Sequence, residues 1–120
     1  MKLFRPSPTR FSELPPERQL LVRVCQHVNF GFIRDLAIKR GRPDFDPSPM
    51  ILKDIKLDGE EVARPEAELA DFELAREVRR LMHQLDDPIA TRIDSIEIRA
   101  GLPKRILLRV PSAEYRVEEK

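Results

Sequence analysis

Three residues in the middle of the chain have the types and spacing to do chemistry. Asp44 follows Pro43, and Asp54-Ile55-Lys56 begins ten residues later. Two carboxylates can hold a hard cation, and a lysine nearby can stabilise developing negative charge. On extended backbone Asp54 and Lys56 share the face opposite Ile55, while Asp44 points away from the face of Phe45. A plainer use of the same residues is available. Acid-x-Lys is what the wet face of any amphipathic strand offers, and Gly41-Arg42-Pro43 explains itself as a turn without Asp44.

Other chemistries find little support. Cys25 and His27 are two apart on a predicted helix, so they point in different directions. Cys25 falls on the apolar stripe of that helix, where a free thiol is packing. His83 has no cysteine near it in sequence, and no Gly-x-Ser-x-Gly elbow occurs. One cysteine and two histidines are too few for the usual tetrahedral zinc set. The four glycines stand singly at 31, 41, 59 and 101, which makes no phosphate cradle.

Basic residues gather at two turns, Lys39, Arg40 and Arg42 at one and Arg99, Lys104 and Arg105 at the other. If the two hairpins are neighbours, their tips form one positive edge that contacts phosphates. The second helix adds Arg76, Arg79 and Arg80, although Glu73 and Glu77 stand at pairing distance along the helix. The phenylalanines fall mostly on predicted inward faces or in the N-terminal arm. That leaves no aromatic platform on which single-stranded bases would stack.

These residues have to be positioned by the elements around them. Residues 1–14 read as an arm containing Pro6 and Pro8, with Phe4 and Phe11 able to pin it. The first helix begins near Ser12, a candidate cap, and carries Leu21, Val24, Cys25 and Val28 as its stripe. Asn29 and Gly31 end it. Phe30, Phe32, Leu36 and Ile38 then alternate as the inward side of a strand, Gly41 turns, and Arg42 to Asp46 is the return. In "MILKDIKL", residues 50–57, Ile51, Ile55 and Leu57 share a face. A second helix runs through "DFELAREVRRLMHQL", capped by Asp71, with Leu74, Val78, Leu81, Met82 and Leu85 apolar. A last hairpin turns at Gly101, between Ile96 and Ile98 on one side and Ile106, Leu108 and Val110 on the other.

One skeleton occurs twice, 60 residues apart: Ile33-x-x-Leu36-x-Ile38-Lys39-x-Gly41-x-Pro43, and Ile93-x-x-Ile96-x-Ile98-Arg99-x-Gly101-x-Pro103. The shared positions are those a hairpin needs to fold, and the outward positions differ. The predicted fold is therefore α+β. Tandem helix-plus-hairpin units in the order α-β-β-β-α-β-β build one mainly antiparallel sheet with both helices on one face. Residues 15–111 make one domain, and 112–120 a tail or a short edge strand through Tyr115 and Val117.

The totals bound the role. Twenty-two basic residues nearly cancel 21 acidic ones, so only local clustering can speak for nucleic acid. A single cysteine allows no internal disulfide and fits a reducing compartment. No stretch has the length and apolarity of a signal peptide core or a membrane span. A soluble cytoplasmic protein with no membrane partner is expected.

Pro43-Asp44 followed by Asp54-Ile55-Lys56 resembles the Pro-Asp…(Asp/Glu)-x-Lys signature of restriction-endonuclease-like nucleases. That resemblance implies Mg²⁺ held by Asp44 and Asp54, Lys56 assisting the attacking water, and Glu17 as an additional ligand. Separately, Asn29, Phe30, Gly31, Ile33, Gly41, Pro43, Pro47 and Pro49 resemble a pattern in small uncharacterised bacterial proteins. Its helix-plus-hairpin part is similar to the YezF type. This second resemblance implies a bacterial origin and brings no activity. The reading favoured is a non-catalytic binding or accessory module without a cofactor, its most concrete partner nucleic acid at the basic tips. Two alternatives stand beside it: the Mg²⁺-dependent nuclease, and a module that joins another protein or itself along a sheet edge formed by residues 50–57 or by the tail.

Overall fold

Proline decides where the first helix begins. The computed structural model describes residues 7–115, and α1 spans Pro16–Val28. Pro16 occupies the first turn, where its missing N–H leaves no helical bond unmade. Ser12 does not cap this helix. Pro15 holds the cap position, and Ser12 lies in a 3-10 turn, Phe11–Glu13. Leu21, Cys25 and Val28 are buried as the stripe predicts, Val22 and Gln26 join them, and Val24 is half-buried. Asn29 closes the helix at a φ of 67°.

The segment before α1 is tied down from Thr9 onward, where the Leu74 N–H donates to the Thr9 carbonyl at 2.7 Å. Phe11 stacks on Phe72 with ring centroids 4.9 Å apart, and the Arg23 guanidinium lies 4.3 Å over Phe11. Leu14 is buried as well. Phe4, the other expected anchor, falls outside the described residues. The second helix, α2 (Arg76–Leu85), starts later than its apolar pattern suggests, with Ala75 at the cap position. Leu74 is buried but precedes the helix. Asp71 does not cap α2. It accepts from Arg10 Nε at 2.9 Å and from the Ser12 backbone N–H at 2.8 Å, which latches residues 10–12 to the approach of α2.

Between and after the helices lie β1 (Gly31–Lys39), β2 (Arg42–Asp44), β3 (Met50–Lys53), β4 (Arg92–Arg99) and β5 (Leu102–Arg109). The strands pair antiparallel in the order β2-β1-β4-β5, and β3 also pairs with β1. The fold is α+β, with both helices packed on one face of the sheet. Residues 40–41 and 100–101 are two-residue turns with positive φ throughout, at Arg40, Gly41, Ala100 and Gly101, the form that matches the twist of a hairpin. Among the described residues no helix is long and apolar enough to cross a membrane.

The inward face of β1 differs from the alternation read from sequence. Ile33, Leu36 and Ile38 are buried, whereas Phe30 is 39% exposed and Phe32 half-buried. The cause is a slip at Asp35, which has a φ of 63° and is exposed together with Arg34. Before the slip odd residues face the core, and after it even ones do. β4 slips at the same level, so Ile93 and Ile96 are both fully buried. Across the centre Ile33 faces Ile96 and Leu36 faces Ile93. The three-residue spacing within each copy of the repeated skeleton is thus the spacing across a slip.

The tail does not add a strand at Tyr115. Ser112–Tyr115 is a 3-10 turn, and Val117 lies outside the described residues.

Two outcomes test this packing. Ile33→Ala removes a side chain with no exposed surface from the centre of the sheet, and should cost about 2–5 kcal/mol in urea unfolding. Bonds from Arg10 and from the Ser12 N–H hold the Asp71 carboxyl down at about 2, against 3.8 ordinarily. A depressed carboxylate stabilises the fold above its unfolded pKa and loses that contribution as the pH falls through its folded one. Unfolding midpoints should therefore drop between about pH 4 and pH 2, and Asp71→Asn should flatten that part of the profile.

A candidate interaction edge

The hairpin tips do not meet. β1 and β4 run antiparallel, so each tip lies beside the other strand's opposite end. The first tip docks near the start of α1, where Arg18 Nε donates to the Gly41 carbonyl at 3.0 Å. The second docks at the end of α1, where the Gly101 N–H donates to the Asn29 carbonyl at 2.9 Å. Eleven helical residues separate Arg18 from Asn29, about 17 Å of rise. The single basic edge expected from Lys39, Arg40, Arg42, Arg99, Lys104 and Arg105 is therefore split in two. Most of these cations also have acid partners: Lys39 with Asp44 at 2.9 Å, Arg42 with Glu17 at 3.8 Å, Arg99 with Glu97 at 3.4 Å and Lys104 with Glu77 at 2.6 Å. Arg40 and Arg105 have none among the described residues. Glu77 thus turns to β5 rather than to Arg80 on its own helix.

Asp44 and Asp54 are also kept apart, contrary to what a shared cation requires. Asp44 stands opposite Ala37 on β1, and the Asp54 N–H donates to the Phe30 carbonyl at 2.7 Å. Those levels are seven residue steps apart along the chain, on the order of 20 Å. Asp54 and Lys56 also follow β3 rather than belonging to it. Glu17 is on α1 beside Arg42, not beside Asp54. The Asp44 carboxyl is held below its usual range first by Lys39 and then by the Asp46 N–H.

The hollow between the two helices carries no assembled chemistry. A cavity of 310 Å³ between α1, α2 and the second hairpin is walled by Leu21, Val22, Phe72, Val78 and Leu102. Its thiol, Cys25, is pushed up to about 12 by burial, which makes it inert packing as the sequence suggests. Its guanidinium, Arg64, is spent on Glu66 at 3.1 Å.

What stands out is β3. All four of its residues are exposed, and three are large and apolar: Met50 at 60%, Ile51 at 46% and Leu52 at 39%. Phe30, Ile55, Leu57 and Val62 are exposed in the neighbouring segments. The register faces Phe32 with Leu52, Ile33 with Ile51 and Arg34 with Met50. Met50 and Leu52 therefore lie on the sheet face away from the helices, with Phe32, while Ile51 lies on the helix face beside Val24 and Val28. Backbone geometry settles which polar groups are free. The bond from Asp54 to Phe30 fixes even-numbered β3 residues as the ones bonded to β1, so the N–H and C=O of Ile51 and Lys53 point outward. They have no hydrogen-bond partner among the described residues.

No family model, curated protein or solved structure matches this chain.

The sequence points to "MILKDIKL" as a potential edge but not to its full exposure. Alternation gave it an inward face of Ile51, Ile55 and Leu57, whereas Ile55 and Leu57 leave the sheet and are 62% and 96% exposed. One signal was available: three consecutive large apolar residues in a strand only four long suit a strand apolar on both sides. Phe30 and Phe32 were missed as outer-face aromatics because the slip at Asp35 cannot be read from alternation alone.

The separation of the carboxylates is testable by titration. Lys39→Ala should raise the Asp44 titration midpoint followed by carboxyl NMR, because its main stabilising partner is gone. Asp54→Ala should leave that midpoint unmoved, whereas a cation-sharing pair would show coupling.

Proposed function

We propose that the chain is a non-catalytic binding module that takes an extended protein segment along the free edge of β3. The observation that carries this is the edge itself: unpaired N–H and C=O groups at Ile51 and Lys53, flanked by exposed apolar side chains on both faces. Backbone pairing along such an edge supplies affinity, and side chains alternating above and below it supply specificity. Sheet edges are ordinarily guarded by charge, proline or a bulge. Here Pro49 and Lys53 stand at either end, and nothing charged lies between them.

A nucleic-acid reading keeps one specific support, and it moves from the tips to the uncovered sheet face. Phe32 has the Arg34 guanidinium 5.6 Å over its ring, and the strand register runs from Phe32 to Glu97 opposite it and on to Arg105, which makes no ion pair among the described residues. An aromatic with arginines suits stacking on a single strand. Asp35, Asp94 and Glu97 on or beside the same strands oppose phosphate there, which makes this the second reading.

The experiment uses a panel of eight-residue peptides that alternate Val or Ile with Thr or Lys, titrated against the labelled protein. The Ile51 and Lys53 amide signals should shift, and Ile51→Pro should abolish the shift while leaving the fold intact, because the N–H it removes is not bonded to β1. No shift with any peptide, or shifts that survive Ile51→Pro, would remove the reading. Binding of single-stranded oligonucleotides that weakens with salt and with Phe32→Ala would favour the second one.

A further inference from the structure

The edge of β3 sets demands on whatever covers it. An occupant has to bring backbone groups to Ile51 and Lys53. It has to bring apolar side chains to Met50 and Leu52 on one face and to Ile51 on the other. On the helix face the apolar surface continues over Val24 to Leu20, one turn earlier on α1 and 47% exposed. Within the strand charge appears only at its end, at Lys53 and the Asp54 that follows, while Arg34 stands opposite Met50 and Arg23 lies beside Ile51 on the helix face.

The segment that meets these demands is β3 itself. Resting on the edge reading above, we propose that the partner is a second copy of this chain, with the two β3 strands pairing antiparallel about a two-fold axis at Ile51. Backbone parity restricts the choice of register. Only odd-numbered β3 residues turn their polar groups outward, so an odd residue must face an odd one across the axis. Centred on Ile51, the pairing sets Ile51 against Ile51 of the second copy and Met50 against its Leu52. Lys53 then falls opposite Pro49, which has no N–H to leave stranded, and each Lys53 keeps its own Glu61 at 3.2 Å. Centred on Lys53, the pairing sets two ammonium groups against each other. Centred on Leu52, it sets Lys53 on Ile51 and Asp54 on Met50. The Ile51 register alone matches apolar with apolar on both faces and keeps like charges apart.

The native chain gives the test a clean background, since its one cysteine, Cys25, is 1% exposed. Light scattering on the full chain at about 100 µM should give twice the 14.0 kDa chain mass. Ile51→Lys and, separately, Met50→Glu should each give the single-chain mass with an unchanged circular dichroism spectrum, both positions being exposed in one copy. On mild oxidation with diamide, Ile51→Cys should form a covalent dimer. Leu52→Cys should form several-fold less, and the wild-type chain none. A wild-type chain that stays single, a dimer indifferent to both charge variants, or preferential linkage through Leu52→Cys overturns the inference. A single chain whose Ile51 and Lys53 amides still shift with the strand peptides loses the second copy as partner but keeps the edge as a binding site. A single chain that ignores the peptides loses both.

Discussion

The rest of the molecule depends on how β1 and β4 pair at the middle of the sheet. Each of these strands slips by one residue at the same level, around Asp35 and Asp94, and because they slip together their register runs unbroken from Gly31 to Ala37. A slip in one strand alone would turn half of its side chains to the wrong face. With both slipped, Ile33, Leu36, Ile93 and Ile96 all point at the helices and exclude solvent completely. The cost is a left-handed backbone at Asp35, a residue type whose short polar side chain tolerates that conformation.

The same pairing decides where everything else can go. Antiparallel central strands send their hairpin tips in opposite directions, so the two basic turns sit at opposite ends of α1 instead of side by side. β2 and β3 share one edge of β1, each covering half of it, which places Asp44 and Asp54 at different levels. The close approach of β3 to β1 uses Gly31, whose φ is 152°. A Cβ there would overlap the Leu52 carbonyl. β3 is thus held flat against β1 on one side and left bare on the other.

A bare apolar strand is a liability unless it is used. Leu69 and Leu107 are exposed singly, but the exposure gathers at one corner: Met50, Ile51, Leu52, Ile55 and Leu57 follow one another in the chain, and Phe30 touches the same segment through Asp54. Elsewhere the surface is dominated by charged pairs such as Arg18 with Asp86 and Arg92 with Asp35. Scattered apolar residues would need no account, but a run flanking unpaired backbone groups does.

The helices, the hairpin turns and the α+β class were legible in the sequence because they rest on short-range physics. The spacing of Leu21, Cys25 and Val28 makes a helix face whatever it packs against, and a glycine at 41 or 101 takes a turn conformation that few other residues accept. The repeated skeleton even carried the slip, in the three residues between Ile33 and Leu36, though alternation alone read it as a regular strand. Site geometry was not legible, because it depends on pairings between residues far apart in the chain. Whether Asp44 meets Asp54, whether the tips converge and whether β3 has a neighbour are all set by strand order and register. Asp71 illustrates the same divide at one residue: its type suits a helix cap, and only the fold brings Arg10 and Ser12 close enough to claim it. The sequence by itself determined the elements and their order. The tertiary structure decided which faces and edges stay open, since that choice belongs to contacts that no local pattern encodes.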